Sequence, residues 1–299
     1  MKRMLSISLV LLLVISAGWG QTLKPYILGA QSAEDLEMVK DKTRTALQDA
    51  GFTLLGEYQP AQDETRWVFV VNSPELIQAI QNVGELTGFA AALRVALTIE
   101  GSLVNISYTN PVYLGNAYFQ KNYPDVAHHF LAVTEELAAS MADLGTVKDE
   151  AFGVEKGLSE KDIRHYHYMF GMEYFEDVVE LNEFSSFSVA KSILDSKLSK
   201  GGDTKLVYEV EIPGKELKLY GIALSGSTGE EHFLPIIDIS SPRHTAFLPY
   251  EILIMGNQAL MLHGRYRIAL AFPVLTMTTF GKIISTPGAI EDLMRSVTE

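Results

Sequence analysis

The chain has 299 residues, of which 47% are hydrophobic, and it contains no cysteine. This length fits one large domain or two ordinary ones, and the lack of Cys excludes disulfides, a thiol nucleophile and a thiolate metal site. The formal net charge of −13 repels the phosphates of nucleic acids and anionic lipids, so neither is expected as a partner.

Residues 1–20 have the pattern of a signal peptide. Lys2 and Arg3 precede an apolar run over residues 4–16 and a short stretch rich in small residues. The apolar run is shorter than the roughly 20 residues that a membrane-spanning helix needs. We therefore predict cleavage before Gln21, and an exported protein, periplasmic or secreted, with no membrane span after the signal is removed. The alternative is an uncleaved N-terminal anchor.

Residues 21–146 are predicted to form a first unit in the order strand, helix, two strands, helix, two strands, helix. Its clearest element is a hairpin over residues 93–109 with its turn at Gly101. Apolar and polar side chains alternate there, as in a sheet with one buried face. Pro74 is suited to the first turn of the second helix. The other predicted elements are strands at residues 23–28, 52–58 and 66–71, and helices between residues 32 and 51 and between residues 124 and 144.

Residues 147–177 are predicted to connect the two halves of the chain. The stretch from His165 to Phe175 is rich in aromatic side chains, which bury large areas and seldom occupy a bare linker. We therefore expect this connector to pack across both halves and to fix their relative orientation.

Residues 178–299 are predicted to repeat the order of the first unit with one substitution. Where the first unit has its second helix, this unit has a loop over residues 225–235, with at most a short helix. The other predicted elements are strands at residues 178–181, 205–212 and 216–223, and helices at residues 187–198 and 287–297.

The two predicted hairpins indicate a duplication. The second covers residues 251–271, and its second strand is predicted to continue to the end of that range. Phe247 precedes it and Pro273 follows it, as Phe89 and Pro111 flank the first hairpin. We therefore expect the two units to superpose, with each Phe and each Pro in equivalent positions.

Short motifs around these hairpins resemble a known family, domain of unknown function 302 (DUF302). The first unit has Asn-Ser-Pro-Glu-Leu at residues 72–76 and Asn-Pro at residues 110–111, and the second has a Leu-Pro step at residues 248–249. The alanines at residues 90–92 depart from that step. The resemblance implies an α+β fold of two tandem repeats, each an antiparallel sheet with helices packed on it. It implies no established reaction.

His165 and His167 are the candidate metal ligands. On a strand, residues two apart project from the same face, so both imidazoles would reach one ion, and Met169 would continue that face. Imidazole and thioether ligands suit copper. The alternative is a pair of packed or solvent-facing histidines.

Tyr250, His263, Arg265 and Arg267 form a second candidate site. The predicted hairpin places them on one face, opposite its apolar residues. Such a cationic patch on an acidic chain would bind a carboxylate or phosphate ligand, because Arg holds these groups in a bidentate geometry. The alternative is that the arginines pair with the protein's own Asp or Glu side chains, including those of the connector.

The sequence has no motif for a catalytic nucleophile, a phosphate-binding loop or a zinc protease. It also specifies no cofactor. We therefore predict an exported, soluble, non-catalytic binding module for a small molecule or a protein partner in the cell envelope. The alternatives are a metal-binding or redox accessory protein of the envelope and, from a third class, a hydrolase of unknown type.

Overall fold

The structure, a computed structural model, describes residues 22–299; the predicted signal peptide and the cleavage site before Gln21 lie outside them. The described residues form an α+β fold with antiparallel sheets and helices packed on them, as the sequence predicts. None of the helices in this range is both long enough and apolar enough to cross a bilayer.

The described part of the chain contains the following strands and helices. The strands are β1 Thr22–Leu23, β2 Tyr26–Ser32, β3 Thr53–Tyr58, β4 Arg66–Asn72, β5 Leu93–Glu100, β6 Leu103–Thr109, β7 Thr146–Phe152, β8 Leu158–Ser159, β9 Val179–Glu183, β10 Thr204–Glu211, β11 Leu217–Leu224, β12 Tyr250–Met255 and β13 Gln258–Met261. The α-helices are α1 Leu36–Asp49, α2 Pro74–Val83, α3 Pro111–Phe119, α4 Tyr123–Ser140, α5 Glu160–Arg164, α6 Phe187–Leu198, α7 Glu230–Ile237, α8 Gly264–Ala271, α9 Met277–Lys282 and α10 Thr286–Ser296.

The first unit is built on a six-stranded sheet with the order β3-β4-β5-β6-β2-β7. Its strands pair antiparallel, and the hairpin predicted over residues 93–109 is formed by β5 and β6. The outer strand β7 pairs with β2, with Phe152 opposite Tyr26. Most of β7 lies in the predicted connector, so the first unit continues beyond residue 146, to Phe152.

The second unit is built on a five-stranded sheet with the order β10-β11-β12-β13-β9. If β9 to β13 are matched in chain order with β2 to β6, the two sheets have the same strand order. Helices α6 and α7 then occupy the places of α1 and α2 in the chain order. The descent of the two units from one duplicated domain stays a prediction.

The second hairpin differs from its prediction, because the strand β13 ends at Met261 and α8 begins at Gly264. The His263 side chain accepts a hydrogen bond from the Arg265 backbone N–H at 3.3 Å and caps the helix. Asn110 caps α3 in the first unit in the same way. Gly264 is therefore the counterpart of Pro111, and the predicted match of Pro111 with Pro273 is wrong. The apolar residues of α8 are buried nearly all round, so their pattern resembled that of a strand.

The two sheets approach each other at their outer strands β3 and β10. A Cβ atom on Gly56 of β3 would lie 2.1 Å from the carbonyl oxygen of Val207 in β10. No side chain fits in that space, so the close approach requires glycine. The same kind of contact recurs deeper, where a Cβ atom on Gly88 would lie 2.7 Å from the side chain of Leu253. The two units are therefore packed directly against each other.

The aromatic connector contacts both units through some of its rings. The Phe175 ring stacks on Tyr118 of the first unit, with centroids 5.1 Å apart. The Tyr166 hydroxyl donates to the Ala269 carbonyl of the second unit at 2.8 Å. Phe170 is fully exposed, so this part of the connector does not pack across both units as predicted.

Candidate functional site

Three buried charged side chains meet where the units touch. Arg94 and Glu251 are the second residues of the equivalent strands β5 and β12, and Arg267 lies on α8. Glu251 accepts hydrogen bonds from an Nη of each arginine, that of Arg267 at 3.0 Å. It also accepts one from the Tyr208 hydroxyl at 2.5 Å. We call Arg94, Glu251 and Arg267 the charged triad.

The charged triad carries a net charge of +1 inside the protein. Arg94, Glu251 and Arg267 are only 2%, 3% and 6% exposed. Two arginines share one carboxylate, and a guanidinium stays protonated in proteins. Burial lowers the pKa of Arg94, and the nearby charge of Arg267 lowers it further. Such an uncompensated buried charge is costly unless another group neutralises it.

The two arginines have more N–H donors than the number of hydrogen bonds that they make to protein acceptors. Arg94 also donates to the Ala92 carbonyl at 3.1 Å. Arg267 donates to the carbonyls of Phe247 and Pro249, each at 2.6 Å. The Nε atom of each arginine has no partner among the described residues. The triad therefore lacks hydrogen-bond acceptors for some of its N–H groups, and it also lacks one negative charge.

A cavity of about 40 Å³ lies beside the triad, between the two units. One water needs roughly 10–15 Å³, so the cavity has room for a few non-hydrogen atoms. The first unit contributes four polar side chains besides Arg94, and the second unit contributes mainly apolar ones besides Arg267. The lining residues are Pro25, Tyr26, Arg94, Thr109, Tyr113, Leu114, Tyr118, Ala246, Phe247, Arg267, Leu270 and Ala271.

The tyrosines of the cavity differ in their hydrogen bonds. Tyr26 donates to the Ala271 carbonyl at 3.1 Å, and Tyr113 donates to the Leu270 carbonyl at 3.0 Å. Burial raises the pKa of both hydroxyls well above the ordinary value. The Tyr118 hydroxyl donates to no other described residue, and this side chain lines the cavity. Tyr118 is thus a further donor beside the two arginines.

A second buried ion pair has a protein partner for every nitrogen of its guanidinium. The Arg66 guanidinium contacts the Asp238 carboxylate, donates to the Thr245 hydroxyl at 2.6 Å and donates to Asp63 at 2.9 Å. Asp238 also accepts from the backbone N–H of His244 at 2.5 Å. We call Arg66 and Asp238 the closed pair, because its charges balance and its carboxylate accepts several donors.

Glu230 is a third buried charged group, and it bridges the two units. It accepts hydrogen bonds from the Tyr58 hydroxyl at 3.0 Å and from the backbone N–H groups of Ala61 at 3.1 Å and Leu224 at 3.3 Å. Burial raises the pKa of Glu230 to about 7, against the lowering effect of these hydrogen bonds. This carboxyl therefore titrates near neutral pH.

The predicted cationic face of Tyr250, His263, Arg265 and Arg267 does not exist as one surface, because the last three residues belong to α8 and its cap. Tyr250 is buried beneath Arg267, whose guanidinium carbon lies 4.9 Å from the ring centroid. Arg265 pairs with Glu173 of the connector, and His263 lies 3.6 Å from the same carboxylate. Both arginines therefore pair with the protein's own acids.

His165 and His167 do not lie on a strand, which removes the geometric basis of the metal prediction. His165 is the residue that ends α5 and is exposed, and the ring of His167 lies 4.6 Å from that of Tyr174. Within residues 22–299, no group of three or more His, Cys, Asp or Glu is placed to hold a metal ion.

Sequence reasoning missed Arg94, Glu251 and Tyr118 as site residues. Arg94 is one of the polar residues that alternate with apolar ones in the first hairpin, where the pattern of a sheet with one buried face predicts that a cation faces solvent. The available signal was the pair of opposite charges at the same position of two equivalent strands. That signal becomes visible only when the two hairpins are aligned by their first strands.

Comparison with known proteins gives a structural neighbour but no sequence match. No family model matches the chain, and none of the curated proteins matches it. A solved structure similar to this chain is that of an uncharacterized conserved protein DUF302 from Bacillus stearothermophilus. It has 15% sequence identity and a TM-score of 0.33, and the match covers 38% of this chain and 95% of that one. This neighbour is described as a DUF302 protein, and a tandem arrangement of two copies stays a prediction.

Proposed function

We propose that this protein is a non-catalytic binding module that holds a small ligand in the cavity between its two units. One observation carries the proposal: Arg94 and Arg267 line one cavity and share a single carboxylate. Groups of this kind with unused donors recognise ligands in many pockets. The ligand would contact both units and hold them together.

The chemistry of the lining favours binding over proton transfer. A general acid or base works best with a pKa near the operating pH. Burial instead raises the pKa values of the Tyr26 and Tyr113 hydroxyls, so they keep their protons at neutral pH. The arginines remain charged, and their positions are fixed by contacts to Glu251 and to backbone carbonyls. The lining therefore offers fixed donors and a fixed charge.

We also propose that the protein works after export, in the periplasm or outside the cell. The support is the charged start, the short apolar run and the small residues of the N-terminus. N-terminal sequencing of protein from the envelope fraction should give a chain that begins at Gln21. Recovery of an intact Met1 from that fraction would contradict cleavage.

Native mass spectrometry of protein purified from its own host tests the binding proposal. We expect the native mass to exceed the mass of the denatured chain by that of one small molecule, which denaturation releases. The same measurement on Arg267→Gln should show loss of the additional mass. Arg265→Gln is the matched control, since Arg265 lies on the same helix and pairs with Glu173 at the surface. Equal native and denatured masses of the wild type would contradict the proposal.

A further inference from the structure

We infer that the ligand of the cavity is a small monovalent carboxylate, of the size class of formate and acetate. The inference rests on the proposed function and adds the chemical class of the ligand. The carboxylate would lie between Arg94 and Arg267 and would act as the missing counter-ion of the charged triad.

The charge count of the site selects a monovalent anion. The closed pair Arg66 and Asp238 is neutral by itself, while the triad retains one positive charge. A single negative charge brings the triad itself to neutrality. A phosphate carries more than one negative charge near neutral pH and would leave an excess of buried negative charge. A neutral ligand would leave the positive charge uncompensated, which is costly in a buried site.

The hydrogen-bond count selects an oxygen acceptor. A guanidinium has five N–H donors, of which Arg94 uses two and Arg267 uses three on protein acceptors. The Tyr118 hydroxyl adds one more unused donor. Both oxygens of Glu251 are already occupied by Arg94, Tyr208 and Arg267. A planar carboxylate offers two oxygens that match the fork of a guanidinium, which a spherical halide cannot do.

The size and the apolar lining limit the rest of the ligand. The cavity of about 40 Å³ accommodates only a few non-hydrogen atoms. Phe247 and Leu270 from the second unit and Leu114 from the first unit provide apolar contacts. A carboxylate with at most a short alkyl group fits this combination of charged and apolar walls.

Isothermal titration calorimetry on the purified full chain, dialysed free of carboxylates, tests the inference. The probes are sodium formate, sodium acetate, sodium chloride, sodium phosphate and acetamide, all at one ionic strength. We expect formate or acetate to bind saturably at one site per chain, at least about tenfold more tightly than chloride or phosphate. Acetamide has the shape of acetate without its charge and should give no saturable heat. Acetamide or chloride binding as tightly as acetate would overturn the inference.

Variants of the cavity residues test whether acetate binds in this cavity. Arg267→Gln should weaken acetate binding at least tenfold, about one unit in log Kd, while Arg265→Gln should bind as the wild type does. Tyr118→Phe retains the ring that stacks on Phe175, so it tests the site even if Arg267→Gln does not fold. We expect it to weaken acetate binding by about threefold, within the range for one lost hydrogen bond. Unchanged affinity in both Arg267→Gln and Tyr118→Phe would overturn the assignment to this cavity.

The outcomes separate this inference from the proposed function. A host-derived small molecule in native mass spectra, without saturable formate or acetate binding, would overturn the carboxylate class and leave the binding proposal standing. Failure of both measurements would overturn both.

Discussion

The closed pair and the charged triad show two solutions to burying arginine in the same protein. Arg66 lies against Asp238 with a balanced charge, and it has a second carboxylate, Asp63, at 2.9 Å. Arg94 must share Glu251 with Arg267, and a cavity lies beside them. The first arrangement is complete without a ligand, whereas the second gains from one. The difference separates a structural ion pair from a candidate binding site.

Comparison with Glu230 shows that a carboxyl and a guanidinium respond differently to burial without a counter-charge. Among the described residues, its carboxyl accepts hydrogen bonds from a tyrosine hydroxyl and two backbone N–H groups but forms no salt bridge, and burial raises its pKa to about 7. A buried carboxylate becomes neutral when it takes up a proton. A guanidinium has no such route at physiological pH, so the triad depends on an external anion.

The largest expected effect comes from removing the shared carboxylate. Glu251→Ala leaves two buried arginines without a counter-charge and should lower the free energy of unfolding by about 3–5 kcal/mol or abolish folding. Asp238→Ala leaves one arginine, which still has Asp63 beside it, and should cost less. Urea denaturation of both variants measures the difference. A larger loss in Asp238→Ala would contradict the distinction between the closed pair and the charged triad.

The next effect is a pH dependence caused by Glu230. Its folded-state pKa of about 7 exceeds the ordinary value of 4.5, so the folded state binds the proton more tightly than the unfolded state. Stability from this group is therefore present below pH 4.5 and is lost as the pH rises towards 7, by up to about 3 kcal/mol.

Comparison with Glu230→Gln isolates this contribution to the pH dependence. The variant retains the shape and an acceptor oxygen but does not titrate, so its stability should fall less than that of the wild type between pH 4.5 and 7. Other titrating groups are the same in both proteins, and thus the difference between the two curves reports Glu230 alone. Parallel curves over this range would show that the buried carboxyl keeps its ordinary pKa.

Truncating one arginine of the triad should cost less than removing the carboxylate. Arg267→Ala leaves Arg94 and Glu251 as a neutral pair, while the Arg267 hydrogen bonds to the carbonyls of Phe247 and Pro249 are lost. We expect a loss of about 1–3 kcal/mol in the free energy of unfolding, measured in buffer without carboxylates. If Arg267→Ala lowered the free energy of unfolding as much as Glu251→Ala does, the idea that the two arginines share one counter-ion would be contradicted.

The smallest effect is expected at the surface of α8. Arg265 pairs with Glu173, but its side chain is 42% exposed, so water screens the interaction. Arg265→Ala should change the free energy of unfolding by less than about 1 kcal/mol. Thermal melts of Arg265→Ala and Arg267→Ala compare the contributions of two arginines on the same helix. A larger loss for Arg265→Ala would reverse the assignment of the buried and the exposed arginine.

Much of the fold could be predicted because its signals are local. The alternation in β5 and β6, the proline at the start of α2 and the turn at Gly101 each involve neighbouring residues. The helix α8 was mistaken for a strand, because burial on nearly all sides removes the helical spacing of polar residues. Local patterns therefore identify elements in which polar and apolar residues alternate, even where both faces are buried, as they are in most of β5 and β6.

The candidate site could not be predicted, because its members meet only through the packing of the two units. Arg94 is 157 residues from Glu251 in the chain, and no periodicity relates two charges so far apart. Arg267 was identified as a ligand-binding candidate, but on a surface that the structure does not contain. The cavity itself exists only because β5, β6, α3 and α8 come together.

A crystal structure of the protein soaked in sodium formate tests whether the charged triad holds an anion in the cavity. We expect planar density for one formate in the cavity, with its oxygens within hydrogen-bond distance of Arg94 and Arg267. We expect the same density to be missing from crystals kept in formamide, which has the shape of formate without its charge. A cavity that holds only water in formate, or that holds both compounds equally, would contradict the claim that the charged triad requires an anion.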